Sequence, residues 1–585
     1  MTFSSSTSHS SVWPTISLAA VTAQLTAPGM RLEIEEITVR GIKMRSWKNQ
    51  PPTLRQVFLT GRDFKAREFA VYENDRVTFD AFARAVLALA SELQAQGVEK
   101  GDRVAVIMRN LPEWPVAFFA TSICGAIVTP LNAWWTGPEL EYALSDSGAK
   151  IAIVDGERWE RIANHLNQCP DLKRVYVARA PNAITQMQVT HLETVLGMPN
   201  EWHTLPEHPM PTVAIEPDDD ATIFYTSGTT GKPKGALGTH RNICSNVGSA
   251  AFVSARTLLR RGDPVPVPKP DDPQRISLLV VPLFHVTGCC ASLVPTIFSG
   301  NKHVYMRKWD TEKAMQLIES ERVTAAGGVP TIAWQLIEHP ARAQYDLSSL
   351  ETVSYGGAPS APELVRRIKE VFPQAKPGNG WGMTETSASF CGNLGEDYEH
   401  RPDSCGPPSP VSDLKIMSVD GTREMPLGEV GELWAKGPQV IKGYWQMPAA
   451  TAQTFVDGWV KTGDLARVDA EGFCYIVDRV KDILIRGGEN IYCIQVENAL
   501  YDHPAVMDAA LLGIPHRTLG EEPGAIVHLK SGMTATQEEL RAFVATKLAA
   551  FQVPVRIVFW PEPLPRNPAG KILKKELKAV FGVST

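Results

Sequence analysis

Excess positive charge is missing from this chain of 585 residues: 58 Lys and Arg stand against 64 Asp and Glu, a formal charge of −6. A nucleic-acid partner, which selects a basic surface, is therefore not expected. Metal-ligand spacing is missing too. The nine cysteines are scattered, only Cys289 and Cys290 are adjacent, and no CxxC pair or His/Cys cluster occurs. That pattern argues against structural zinc and a disulfide scaffold and points to the reducing cytoplasm. Residues 1–29 hold neither Lys nor Arg and are rich in Ser and Thr, so the charged start of a secretory signal is lacking and the segment reads as a disordered tail. An unbroken apolar run of membrane length is also absent. Residues 276–298 carry no Asp, Glu, Lys or Arg and exceed the ~20 residues that cross a bilayer, but Pro282, His285, Gly288 and Pro295 interrupt them. They read as a buried strand, loop and helix.

What is present is ordinary globular material, 44% hydrophobic and 21% charged, enough for about three or four structural units at roughly 100–200 residues each. Phe79, Phe82, Val86, Leu89 and Leu93 recur at helical spacing before Gly97. A strand over 104–107, a helix after Pro112, an apolar run over 126–131, a helix over 139–144 and a strand over 151–154 follow. This alternation predicts an α/β fold with a mainly parallel sheet and helices on both faces, and it resumes between 276 and 355. The Pro- and Asp-rich stretch 261–275 predicts an inserted surface loop. Past residue 405, short segments with Gly turns at 428–433, 443–445 and 472–475 predict a smaller β-rich subdomain. After Asp478 a compact α+β unit is expected, with Thr536 and Glu539 as the capping box of a helix carrying Leu540, Phe543, Val544 and Leu548.

The segment from Tyr225 to Gly235, Tyr-Thr-Ser-Gly-Thr-Thr-Gly-Lys-Pro-Lys-Gly, has the composition of a polyphosphate grip. Glycines let backbone N–H groups turn toward phosphate oxygens, hydroxyls add donors, and lysines supply charge. It is not a Walker A loop, because only two residues separate Gly228 from Gly231 and Pro233 stands where the magnesium-binding hydroxyl belongs.

This string resembles the signature loop of the adenylate-forming superfamily, which includes acyl-CoA synthetases, peptide-synthetase adenylation domains and firefly luciferase. Further matching segments follow in the family's order: 282–285 (PLFH), 354–358 (SYGGA), 380–386 (GWGMTET), 458–464 (GWVKTGD), 478–482 (DRVKD), 486–491 (RGGENI) and 565–571 (PRNPAGK). The resemblance extends over about residues 55 to 580 and is closest to the acyl-CoA synthetase or fatty-acid–CoA ligase branch. It implies a large N-terminal AMP-binding domain over 30–480, combining α/β layers with the β-rich subdomain, and a small mobile C-terminal domain over 481–585. It also implies the reaction: a carboxylate attacks the α-phosphorus of ATP, pyrophosphate leaves, and a thiol, usually that of CoA, displaces AMP from the acyl-adenylate.

Carried onto this sequence, the resemblance assigns Lys571 to bridge the carboxylate and the α-phosphate, and Glu385 and Thr230 to hold Mg²⁺, with Thr384 donating to phosphate. Thr226, Ser227, Gly228, Thr229, Thr230 and Lys234 would grip the phosphates. Gly356, Gly357 and Ala358 would floor the adenine and acyl pockets, with Asn379, Trp381 and Gly382 around the base. Trp381 stands where Tyr or Phe is commoner, so stacking is kept while a hydroxyl contact is lost. Asp464 and Arg479 match the ribose clamp. Lys481 is placed at the hinge, and Gly487 and Gly488 would line the pantetheine channel once the C-terminal domain rotates. His285, Val329 and Tyr355 would wall the acyl pocket, His285 as a gate or wall residue.

The expected pocket strings 286–291, 327–329 and 356–358 contain no charged side chain, so a second charge on the substrate would lack a partner. The expected substrate is a hydrophobic carboxylic acid: a medium- or long-chain fatty acid or an arylalkanoic acid. The expected enzyme is an ATP-dependent acid–CoA ligase, with Mg²⁺ accompanying ATP and CoA as co-substrate. Two alternatives stay open: transfer of the acyl group to an amine or carrier-protein thiol, and a non-catalytic nucleotide-binding scaffold. Trp134 and Trp135 could cover apolar surface or meet a membrane, and ordinary packing is the preferred reading; the choice between monomer and homodimer is also left open.

Overall fold

A computed structural model describes residues 13–226, 232–269, 272–357, 360–567 and 570–582. Two eight-stranded sheets, two five-stranded sheets and one hairpin organise them. In the first large sheet the strands run in the order Gly443–Tyr444, Lys234–Thr239, Asp220–Thr226, Ile127–Pro130, Arg103–Ile107, Ala149–Asp155, Arg174–Ala178 and Val189–His191. From Asp220–Thr226 outward to Val189–His191 the pairing is parallel. The second runs Ala388–Leu394, Lys376–Met383, Thr352–Gly356, Ala325–Gly328, Ile276–Leu279, Lys302–Tyr305, Glu68–Tyr72 and Asp75–Thr78, parallel except at its two edges.

The largest core lies between these sheets. Helix Phe79–Ala95 starts at Thr78, whose side chain accepts from the Ala81 N–H, and it packs beside helix Glu113–Ile123. Every residue of the second helix is buried, the signature of a helix sandwiched on all sides. Phe79, Phe82, Phe118 and Phe119 join Val104 of one sheet with Phe69 and Leu279 of the other in one cluster. The uncharged stretch after 276 resolves into strand Ile276–Leu279, a turn, a wide-turned helix Thr287–Leu293 and helix Val294–Phe298, as its breakers predict. The 261–275 segment begins one residue late: Arg261 still belongs to helix His240–Arg261, which Gly262 ends in the left-handed region at φ 94°.

One five-stranded sheet is formed by Asp413–Met417, Gly431–Lys436, Trp459–Val468, Phe455–Val456 and Cys474–Arg479; the other, by Leu484–Arg486, Glu489–Ile491, Val506–His516, Gly520–Leu529 and Arg556–Phe559. The second carries helix Gln537–Ala545 with the expected Thr536/Glu539 capping box, and Leu540 and Val544 enter its core.

Three expectations need correction. The segment 1–29 is not wholly a disordered tail: helix Leu18–Thr26, capped by Ser17, buries Val21 and Leu25 against Trp47, Phe252 and Val411. Its apolar positions were too few and its hydroxyls too many to stand out. Gly443–Tyr444 does not belong to the β-rich subdomain; it pairs antiparallel with Lys234–Thr239 and edges the first large sheet. Finally, cysteines far apart in sequence do converge. The thiols of Cys391, Cys405 and Cys474 lie within 4.8 Å of one another, all buried. Sequence spacing cannot show a cluster assembled by strand pairing.

Candidate active site

The C-terminal ends of the parallel strands in the second large sheet, the Lys234 strand and both five-stranded sheets meet at a cleft of about 1790 Å³. Thr226, Lys234, His285, Tyr355, Gly356, Gly357, Asn379, Trp381, Gly382, Thr384, Glu385, Asp464, Arg479, Lys481 and Lys571 all line it. Ser227, Gly228, Thr229, Thr230 and Ala358 lie outside the described residues.

The floor is built where backbones approach too closely for side chains. Gly356 pairs in register with Gly380, and a Cβ on Gly382 would lie 1.6 Å from the Ala388 carbonyl oxygen. Asn379 sits opposite Tyr355 on the neighbouring strand, so the residues expected beside the base and beside the acyl group share one surface.

Asp464 and Arg479 are register partners on adjacent antiparallel strands, and the Arg479 Nε–H donates to Asp464 Oδ1 at 2.7 Å. The Trp381 indole N–H donates to Oδ2 of the same carboxylate at 2.9 Å. The tryptophan therefore brings a polar contact of its own in place of the missing hydroxyl. A carboxylate has about four lone-pair sites, which leaves room for two ribose hydroxyls.

Glu385 is 7% exposed, and burial pushes its carboxyl above the usual range. Tyr444 O–H donates to Oε1 at 2.7 Å, and the Lys234 ammonium lies 4.9 Å from the centre of the Tyr444 ring. A buried anion with one hydroxyl donor favours a cation beside it. A hard carboxylate oxygen near a lysine expected to grip phosphate also fits Mg²⁺, which is held by one or two carboxylates and substrate phosphates. Tyr444 was missed as a site residue. Its strand was visible, but its placement at the sheet edge was not.

Lys571 enters the cleft from a turn held at both ends. Its N–H donates to Asn567 Oδ1 at 2.9 Å, while Arg566 donates to the Gly570 carbonyl at 2.6 Å and to both oxygens of Asp508 at 2.7 Å. Gly570 is left-handed at φ 77°, and a Cβ there would meet Val329 Cγ1 at 2.4 Å. Burial, with the neighbouring Arg479 charge second, lowers the Lys571 ammonium to about 8.

Among the residues expected on the acyl side, Tyr355 is buried with its hydroxyl 3.0 Å from that of Tyr398. His285 Nδ1 accepts from the Thr287 N–H at 3.2 Å, and burial depresses the imidazole to about 4. It is thus a neutral wall residue at neutral pH. Val329 does not face the cleft but abuts the Lys571 turn. Trp135, for which ordinary packing is the preferred expectation over a membrane contact, lines the cleft and packs edge-on against Tyr225; Trp134 is 42% exposed beneath Arg109. Among the described residues no helix is long and apolar enough to cross a membrane. Gly487 and Gly488 form an exposed left-handed turn at φ 60° and 92°, away from the cleft lining. Lys481 lies in the short segment between strands Cys474–Arg479 and Leu484–Arg486, the position of a connector between the two five-stranded sheets.

Comparison with known proteins agrees with this geometry. Residues 59–445 match the AMP-binding enzyme family and residues 495–571 match the AMP-binding enzyme C-terminal domain. A feruloyl-CoA synthase of Amycolatopsis sp. is 35% identical, with 86% of this chain and 94% of that protein aligned. A long-chain-fatty-acid–CoA ligase of Bacillus subtilis (strain 168) is 33% identical over 86% and 90%. The crystal structure of an anthranilate CoA ligase in complex with anthranoyl-AMP superposes with a TM-score of 0.80, covering 91% of this chain and 97% of that one at 24% identity, and shares the fold. The chain therefore belongs to the AMP-binding enzyme family, in the acyl-CoA synthetase branch of the adenylate-forming superfamily, as an AMP-forming acid–CoA ligase.

Proposed function

We propose that the enzyme activates a hydrophobic monocarboxylic acid, an aryl-substituted acid or a fatty acid, and transfers it to CoA. The observation that carries this is the acyl-side wall. Segments 278–291, 327–335 and 354–357 contribute Val280, Phe284, Val286 and Trp334 but no Asp, Glu, Lys or Arg to the lining. A second carboxylate or an ammonium on the substrate would lose water without gaining a partner. The relatives named for feruloyl and long-chain acids point the same way.

In the first step the carboxylate oxygen bonds to the α-phosphorus, and the bond to the bridging oxygen breaks as pyrophosphate takes the electron pair. Two anions must meet, so catalysis is chiefly positioning and charge neutralisation. Lys571 supplies a cation whose turn is fixed by Arg566 and Asn567. Glu385 would hold Mg²⁺, which supplies neutralising charge at the phosphates. Asp464, oriented by Trp381 and Arg479, holds the ribose. In the second step the CoA thiolate attacks the acyl carbon and AMP leaves; rotation about Lys481 would withdraw Lys571 and bring Gly487 and Gly488 to the cleft. The test is a panel of aryl, medium-chain and long-chain acids with ATP and Mg²⁺, scored by AMP release with CoA, with amines and with a holo-carrier protein. Preference for charged or dicarboxylic acids overturns the substrate reading; acceptance of amines in place of CoA overturns the acceptor.

A further inference from the structure

The three converging cysteines lie outside the chemistry above. Cys391 is on strand Ala388–Leu394, Cys474 opens strand Cys474–Arg479, and Cys405 lies in the segment leading into strand Asp413–Met417. Backbone bonds fix Cys405, Cys474 and the residue after Cys391. The Cys405 N–H donates to the Cys474 carbonyl at 3.0 Å, the Cys474 N–H to the Gly406 carbonyl at 3.1 Å, and the Gly392 N–H to the Pro407 carbonyl at 3.3 Å. A Cβ on Gly406 would lie 2.1 Å from the Gly392 carbonyl oxygen, so only glycine lets these backbones close. Cys391, Cys405 and Cys474 are 2%, 5% and 0% exposed and sit in a core with Phe390, Ile416 and Val460.

An ion bound equally by three sulfurs at about 2.3 Å would hold them about 4 Å apart in a trigonal plane. The observed spread, within 4.8 Å, reaches that by small side-chain rotations. Among the described residues no His, Asp or Glu joins the group as a fourth ligand. Tetrahedral zinc would thus lack a ligand, whereas soft thiolate sets select Cu(I). Cys391 and Cys405 also form part of the cleft wall, which gives the ion a way in. The Arg256 guanidinium, bonded to the Gly392 carbonyl at 2.7 Å, places positive charge beside the excess negative charge of a three-thiolate site.

We propose that Cys391, Cys405 and Cys474 form a three-coordinate thiolate site for a soft monovalent ion, Cu(I), behind the nucleotide-binding wall. Each remaining S–H bond breaks as its sulfur lone pair bonds the metal; the protons pass to solvent and copper stays monovalent. The site would tie together the two strands that carry Phe390, packed edge-on to Trp381, and Arg479.

The experiment is an anaerobic Cu(I) titration of the reduced full-length protein against a chromophoric Cu(I) chelator, with X-ray absorption on the loaded sample. One equivalent bound by three sulfurs is expected in the wild type and in a Cys289→Ala, Cys290→Ala control. Cys391→Ala, Cys405→Ala and Cys474→Ala should each weaken binding by more than the ~10–100-fold that loss of an outer-shell partner costs. Should a variant fail to fold, the sulfur count in the wild type still decides. No uptake, uptake unchanged in all three variants, a sulfur count other than three, or preference for zinc overturns the proposal.

Discussion

The indole N–H of Trp381 donates to Asp464 Oδ2 at 2.9 Å while Arg479 occupies Oδ1 at 2.7 Å. The residue expected to stack on the base thus also orients the carboxylate expected to hold the ribose, which couples the two expected subsites. Trp381→Phe keeps an aromatic face and removes the donor. A hydrogen bond to a charged group contributes about 1.5–3 kcal/mol, discounted here for partial exposure to about 1–2 kcal/mol. The KM for ATP in pyrophosphate exchange should rise about 5–30-fold, with kcat changed less.

Lys571→Ala should depress adenylation by about 10²–10³-fold, the size of losing one preorganised charge-stabilising donor. Thioester formation from supplied acyl-adenylate should be largely spared. Separate assays of the two half-reactions check this; equal losses would remove Lys571 from the first step.

The pH profile carries a second signature of the same lysine. Its ammonium is lowered to about 8 in the free enzyme, so it is charged below that value and neutral above it. Adenylation kcat/KM should fall as pH rises through about 8. Lys571→Arg, which stays charged, should lose that alkaline limb even at reduced activity.

Tyr444→Phe withdraws the one hydroxyl that the structure shows donating to Glu385 Oε1. Burial already raises this carboxyl, and losing a donor to its charged form raises it further. A group raised in this way protonates at higher pH, so Mg²⁺-dependent activity should fail earlier on acidification. The acid limb should move to higher pH, and excess Mg²⁺ should partly restore activity.

Leu25→Ala tests the ordering of the N-terminal helix. Leu25 is 6% exposed against Phe252 and Trp47, and large-to-small changes in such sites cost about 2–5 kcal/mol. Lower resistance to denaturant is expected, with the adenylation rate of folded enzyme preserved.

Sheets and helices were legible wherever side-chain period and breakers agreed. The helix after Thr78 and the interrupted run after 276 are both local patterns. Asp464, Arg479, Trp381 and Lys571 were legible as motif members because each sits in a short string of consecutive residues that can be read locally, three on strands and Lys571 on a turn. Tyr444 and the cluster of three cysteines were not, because strand pairing brings their partners together; Val329 is expected at the acyl pocket, but its contact with Gly570 joins segments far apart in sequence. Helix Leu18–Thr26 was hidden for another reason: its buried face is two residues wide and acquires meaning only against helix His240–Arg261.

The packing of Gly570 on Val329 reaches beyond the placement of one lysine. If the C-terminal unit leaves between half-reactions, it removes a buttress from behind the acyl wall at the same moment. An oversized acid would then be tolerated on entry and refused at closure, so discrimination among acids would appear as slow turnover of bound substrate rather than as weak binding.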